Sequence, residues 1–192
     1  CSNTFSNEDF IRFHVIANSD SEEDQALKLK VRDRLIEGVN EELKREAVRL
    51  SDGNGQTAQL DIEETRTYIL EHIGEIESEA GKIIREEGYD YPVRAQLGVR
   101  FIPEKAYGSL TFPAGNYEAL NITIGEGKGQ NWWCVLYPPL CLIDAKQNKE
   151  EADQVLRDAV MQGKYSQLYD AAHGKTTTSL KLRFKTLELL EK

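Results

Sequence analysis

Tyr91-Pro92-Val93-Arg94-Ala95-Gln96-Leu97-Gly98-Val99-Arg100-Phe101 decides the fold class of this 192-residue chain. Tyr91, Val93, Ala95, Leu97, Val99 and Phe101 alternate with Pro92, Arg94, Gln96, Gly98 and Arg100. A period of two places the first set on one side of a pleated strand and the second on the other. The residues just before this stretch repeat with a helical period instead. Ile62, Thr65, Ile69, Ile73, Ile76, Ala80 and Ile83 recur every three or four positions. That spacing predicts a helix over about 61–87, capped by Asp61 and ended by Gly88. Leu27, Val31, Leu35, Val39 and Leu43 predict another at about 21–48. Ser19 with Glu22, or Ser21 with Asp24, supplies its capping box. Ser51-Asp52-Gly53-Asn54-Gly55 separates the two helices, which are expected to pair antiparallel.

Farther out, Phe10 to Ala17 reads as a strand with Ile11, Phe13 and Val15 on one face and Arg12 and His14 on the other. Pro113-Ala114-Gly115-Asn116 reads as a turn, and Leu120, Ile122 and Ile124 mark the strand after it. Strands are thus expected near 10–17, 91–102, 118–125 and 132–137. The order of elements indicates an α+β domain whose mixed or mainly antiparallel sheet is covered on one face by the helix pair. Residues 1–9 are expected to be a flexible arm, 10–145 the domain, and 146–192 a helical extension packed on it. Within that extension 148–162 reads as helix, and Leu180 to Phe184 as a strand or the start of a last helix.

The net charge of −9 argues against nucleic acid, which needs clustered Lys and Arg to displace counterions. The positive charges are interleaved with acids, as in Asp24 and Lys28 or Glu41 and Arg45, the pattern of a solvated helix face. No stretch approaches the roughly 18 consecutive apolar residues of a membrane span.

Gly125-Glu126-Gly127-Lys128-Gly129 has the glycine content of a phosphate loop but the wrong context. A nucleotide loop feeds a helix whose amide end holds the phosphate, whereas this one feeds Asn131-Trp132-Trp133, extended and apolar. No nucleotide or other cofactor is implied. His14, His72 and His173 are scattered, without the spacing of a metal site. No Gly-x-Ser-x-Gly elbow is present. A Cys134-centred hydrolase or thiol oxidoreductase requires the fold to bring a histidine to that sulfur.

Of three cysteines, Cys134 and Cys141 bracket an aromatic, proline-containing segment. A disulfide-closed loop, contributing roughly 2–3 kcal/mol by chain-entropy reasoning, and two buried thiols are both open. Cys1 reads as an expression remnant ahead of a lipid-bearing residue. Trp132, Trp133 and Tyr137 are the side chains best suited to a binding surface. Adjacent residues of a strand point to opposite faces, so at most one of the two tryptophans belongs to any one core. A carbohydrate- or peptidoglycan-binding module, with an exposed Trp stacked on sugar rings, is the rival to a protein-binding surface.

Three ordered blocks resemble the stage II sporulation protein R family. The first is Ile11-Arg12-Phe13-His14-Val15-Ile16-Ala17-Asn18-Ser19-Asp20-Ser21, continued by Asp24-Gln25 and Val31-Arg32-Asp33. The second is Tyr107-Gly108 with Pro113-Ala114-Gly115-Asn116-Tyr117-Glu118-Ala119. The third runs from Gly125-Glu126-Gly127 through Asn131-Trp132-Trp133-Cys134-Val135-Leu136-Tyr137-Pro138-Pro139-Leu140-Cys141. The resemblance implies a non-enzymatic signal, secreted from the forespore into the space between two membranes after loss of its leader. There it would activate a membrane-bound aspartic protease, of the stage II sporulation protein GA type, that processes the precursor of sporulation sigma factor E. It also favours the Cys134–Cys141 disulfide, since that space is not kept reducing. Asn18, Asp20, Asp24, Trp132, Trp133 and Tyr137 are the expected partner-binding residues.

Overall fold

The computed structural model describes residues 10–50, 60–107, 110–139 and 141. The expected arm and C-terminal extension lie outside these residues.

The chain opens with strand β1 (Ile11–Ile16) and helix α1 (Glu22–Leu50), followed by α2 (Ile62–Glu71) and α3 (Ile73–Glu86). The strands β2 (Val93–Ile102), β3 (Lys105–Tyr107), β4 (Leu110–Phe112), β5 (Gly115–Ile124) and β6 (Asn131–Tyr137) complete it. Four of them form a mixed sheet of order β2-β5-β1-β6, in which β1 runs parallel to β5 and antiparallel to β6. β3 and β4 pair separately as a short antiparallel ribbon. The expected α+β architecture is therefore present, with all four expected strands inside the main sheet.

One predicted helix is two. The 61–87 segment breaks at His72, whose backbone (φ −108°, ψ 12°) leaves the helical region. Its ring competes for the preceding turn: Nδ1 lies 2.8 Å from the Tyr68 carbonyl, which also accepts the His72 N–H, and the two rings stack at 4.0 Å. Apolar periodicity continues across the break and so conceals it. Gly115 and Asn116, expected in a turn, begin β5 instead, leaving Pro113 and Ala114 to turn the chain.

Local chemistry sets the helix ends. The Ser21 hydroxyl accepts from the Asp24 N–H at 3.2 Å, so Ser21 rather than Ser19 opens α1. At α2 the box is complete, with Glu64 N–H donating to Asp61 and Asp61 N–H to Glu64, both at 2.8 Å. After α3, Gly88 takes φ +87°, a left-handed turn that suits glycine. Lys30–Glu87 and the contacts of Arg34 with Glu79 and Glu86 tie α1 to α3 in antiparallel order.

Register places the helix layer on one face. Phe13, Val15, Leu120, Ile122 and Ala95 are buried there with Leu27, Val31, Leu35, Ile69 and Ile83. Arg66 of α2 reaches Glu118 at 2.7 Å, and Glu77 of α3 accepts the Ala95 N–H at 2.8 Å. The opposite face of β1 is buried as well. The Arg12 guanidinium lies 5.3 Å from the ring of Phe112 and 5.0 Å from that of Tyr117, and its Nε donates to the Cys134 carbonyl. Phe112 also meets Phe10 edge-on at 5.0 Å, so the end of the β3–β4 ribbon closes over that part of the sheet.

Asp61→Ala removes both halves of the α2 capping box and is expected to lower stability by about 1 kcal/mol without changing the fold. Urea unfolding followed by circular dichroism checks this, and an unchanged midpoint contradicts it.

Candidate functional site

β5 and β6 lie on either side of β1, so the segment joining them must pass over the end of β1. The backbone arrives there almost in contact with the β1–α1 turn. Lys128 N–H donates to the Asn18 carbonyl at 3.1 Å and Gly129 N–H to the Ala17 carbonyl at 3.0 Å. Side chains complete the clasp. Asn18 Oδ1 accepts from Glu126 N–H at 2.9 Å, and Asp20 Oδ1 from Gln130 N–H at 2.8 Å. Asn18 turns its Nδ2 to Asp24 at 2.8 Å, and Ser19 Oγ donates to the same carboxylate oxygen at 2.6 Å. The Ser19 hydroxyl, the largest contributor, holds the Asp24 carboxyl below the usual carboxylate range. Lys28, buried beneath, donates to Gln25 and to the Gln130 carbonyl, and burial lowers its pKa.

The glycines follow from this approach. A Cβ on Gly129 would stand 2.2 Å from the Ser19 carbonyl oxygen, and one on Gly125 2.1 Å from Asn18 Oδ1. Gly125 and Gly127 also have φ of +57° and +60°. The loop that fails as a phosphate site is thus a loop pressed against backbone. Asp24 and Lys28, expected on a solvated helix face, are both buried here, and Gln130 and the glycines join them to Asn18 and Asp20. A glycine at every second position was the available signal, since such spacing accompanies close backbone approach as well as phosphate binding.

β6 leaves the clasp and carries the aromatic pair. Trp132 lies on the helix face, opposite Val15, edge-on to Phe13 at 6.2 Å with the Arg32 guanidinium 4.8 Å from its ring. Trp133 lies on the other face, opposite His14, and the two rings stack at 3.5 Å with 13° between planes. Both indoles are half-buried. The alternation expected of consecutive strand residues is what the structure has. Tyr137 pairs with Ile11, at the far end of β6. Six residue steps of about 3.3 Å place it roughly 20 Å from the clasp. Asn18, Asp20, Asp24, Trp132 and Trp133 therefore gather at one end of the sheet, and Tyr137 does not join them.

Cys134 and Cys141 form a disulfide that fastens the segment after β6, which includes a cis Tyr137–Pro138 bond, to the strand itself. With its sulfur so committed, Cys134 offers no thiolate in this state, and both sulfur-bearing residues are fully buried.

His14 is held from both sides. Its Nδ1 lies 3.0 Å from Asn121 Oδ1 and its Nε2 2.9 Å from Asn131 Oδ1. Asn121 directs its Nδ2 to the Ala119 carbonyl at 2.7 Å, which leaves its oxygen for His14 Nδ1–H. With an amide oxygen against each ring nitrogen, both hydrogen bonds favour the protonated ring. Burial, the largest influence, lowers the His14 pKa from its ordinary 6.5, against the opposing Asn131 and Asn121 hydrogen bonds.

Gly129→Ala is expected to cost about 1–3 kcal/mol, because the displaced neighbour is backbone; wild-type thermal stability in that variant would contradict the clasp. The His14 prediction has a definite sign. Below its unfolded pKa the unfolded chain binds a proton that the folded ring resists, so stability is full near neutrality and declines as pH falls through about 6.5. The urea midpoint should drop from about pH 7.5 to about pH 5.5, and His14→Gln should flatten that slope. Equal slopes in the two proteins would remove His14 as the cause.

A sequence profile described as stage II sporulation protein R matches residues 7–147. Stage II sporulation protein R of Bacillus subtilis (strain 168) is 36% identical over 149 residues, covering 78% of this chain and 61% of that relative. The chain thus spans less than two thirds of that relative's length. No solved structure matches. The matched residues contain every strand of the main sheet, the clasp and the disulfide.

Proposed function

Since the chain belongs to the stage II sporulation protein R family, we propose that it is a secreted signal of endospore formation that activates a membrane-bound aspartic protease by docking on it. The protease, of the stage II sporulation protein GA type, then processes the precursor of sporulation sigma factor E. The chain itself breaks no bond. Its place of action is the space between forespore and mother-cell membranes.

The observation that carries this reading is the family match over residues 7–147, which takes in the whole clasp-and-aromatic end of the sheet. The chemistry of that end supports it. Asp24, Lys28 and His14 are each engaged by neighbouring polar groups, and Cys134 is oxidised. A rigid, half-buried aromatic edge is suited to association, because large planar side chains desolvate much area with little lost freedom. To activate, the chain must bind the active state of the protease more tightly than the inactive one, by about 1.4 kcal/mol for each tenfold shift.

Co-expression with the protease and the sigma precursor in a non-sporulating host tests the reading. Precursor cleavage should require this chain and should be lost on Trp133→Ala or Trp132→Ala in variants that retain the native circular dichroism spectrum. Cleavage in the absence of the chain, or full cleavage with both folded variants, would contradict it.

A further inference from the structure

β2 is an edge of the main sheet, and among the described residues no strand pairs with its outer side. Its alternation identifies the outward groups. The Ala95 N–H donates to Glu77 of α3, away from β5, so Ala95 and every second residue from it direct N–H and C=O outward. These are Val93, Ala95, Leu97, Val99 and Phe101. The end near α3 is guarded: Glu77 occupies the Ala95 N–H. The other end is not guarded by the helix layer. Val99 and Phe101, on the helix-side face by register, are 63% and 65% exposed. Leu70 of α2, also 53% exposed, is one turn from Arg66, which holds Glu118, the register partner of Val99.

Exposed β-branched and aromatic side chains along a free strand edge invite another strand, and proteins commonly block such edges with inward charges or proline. Here the edge carries charge of one sign. Arg94 and Arg100 are exposed on the polar face of β2, and Val93–Ile102 contains no acid, in a chain of net charge −9. Arg100 Nη1 donates to the outward Val99 carbonyl at 3.1 Å. An arriving strand N–H would replace that contact and free the guanidinium for a carboxylate.

From these observations we infer that the outer edge of β2, centred on Leu97 to Phe101, receives an extended segment of the protein partner by strand addition. That segment is apolar at alternate positions, packing on Val99 and Phe101, and acidic between them, facing Arg94 and Arg100. The inference rests on the reading that the chain acts by association, and it adds a contact on the edge opposite β6. Strand addition draws its affinity from main-chain hydrogen bonds and its selectivity from alternate side chains.

Val99→Pro tests it, because proline there removes an outward N–H that the β2–β5 ladder does not use. Phe101→Lys is the companion variant, altering an exposed side chain while leaving the backbone intact. In the co-expression system, each should lower precursor cleavage at least tenfold at unchanged thermal stability. Arg94→Glu combined with Arg100→Glu should do the same, and Leu29→Lys on α1 should not. If the wild-type chain triggers no cleavage, the activator reading itself fails. If the wild type triggers cleavage and stable Val99→Pro and Phe101→Lys match it, the edge proposal alone is overturned. A wild-type dimer in sedimentation that Val99→Pro converts to monomer would assign the edge to a second copy and overturn the partner assignment.

Discussion

The loop from Gly125 to Gln130 and the turn from Ala17 to Asp20 hold each other across the end of β1, and the arrangement of the sheet depends on that clasp. A parallel β1–β5 pair with β6 on the far side of β1 leaves one short route for the β5–β6 connection. Two main-chain hydrogen bonds, from Lys128 and Gly129 to Asn18 and Ala17, show how close that route is. Only glycine fits at the nearest points. Once the loop is seated, β6 begins at Asn131 in a register that sets Trp132 against the helix layer and Trp133 against His14.

The same interaction gives Asn18, Asp20 and Asp24 internal hydrogen-bond partners. Asn18, Asp20 and Asp24 form a short chain of donors and acceptors linking the start of α1 to the loop. Of the two carboxylates, Asp24 is buried and Asp20 stays exposed. Beside them lies the half-buried aromatic edge, held in place by the clasp on one side and by the Cys134–Cys141 bond on the other.

Much of the fold was legible because periodicity reports burial directly. The four-residue stripe from Leu27 to Leu43 reflects one buried face, and the alternation in Val93–Phe101 marks the strand although Val99 and Phe101 on its apolar side are exposed; each element lies where expected. The break at His72 was not legible, since the apolar stripe runs through it while a ring-to-carbonyl contact changes the backbone. The β3–β4 ribbon was missed because three-residue strands carry too little alternation to register. In β1, alternation marked Ile11, Phe13 and Val15 as core, but it could not show that Arg12 and His14 are also covered. That depends on Phe112, Tyr117 and Trp133, which are distant in sequence. The site was half legible for the same reason: its residues were recognised separately, while their mutual hydrogen bonds arise from topology.

Amide hydrogen exchange on the purified protein tests the clasp most directly. The N–H groups of Lys128 and Gly129 should exchange as slowly as those of β1, although they lie in a glycine-rich loop, and Asn18→Ala should speed them along with Glu126. Fast exchange at Lys128 and Gly129 in the wild-type protein, with β1 protected, would mean that the loop does not hold the turn, and the account built on it would be wrong.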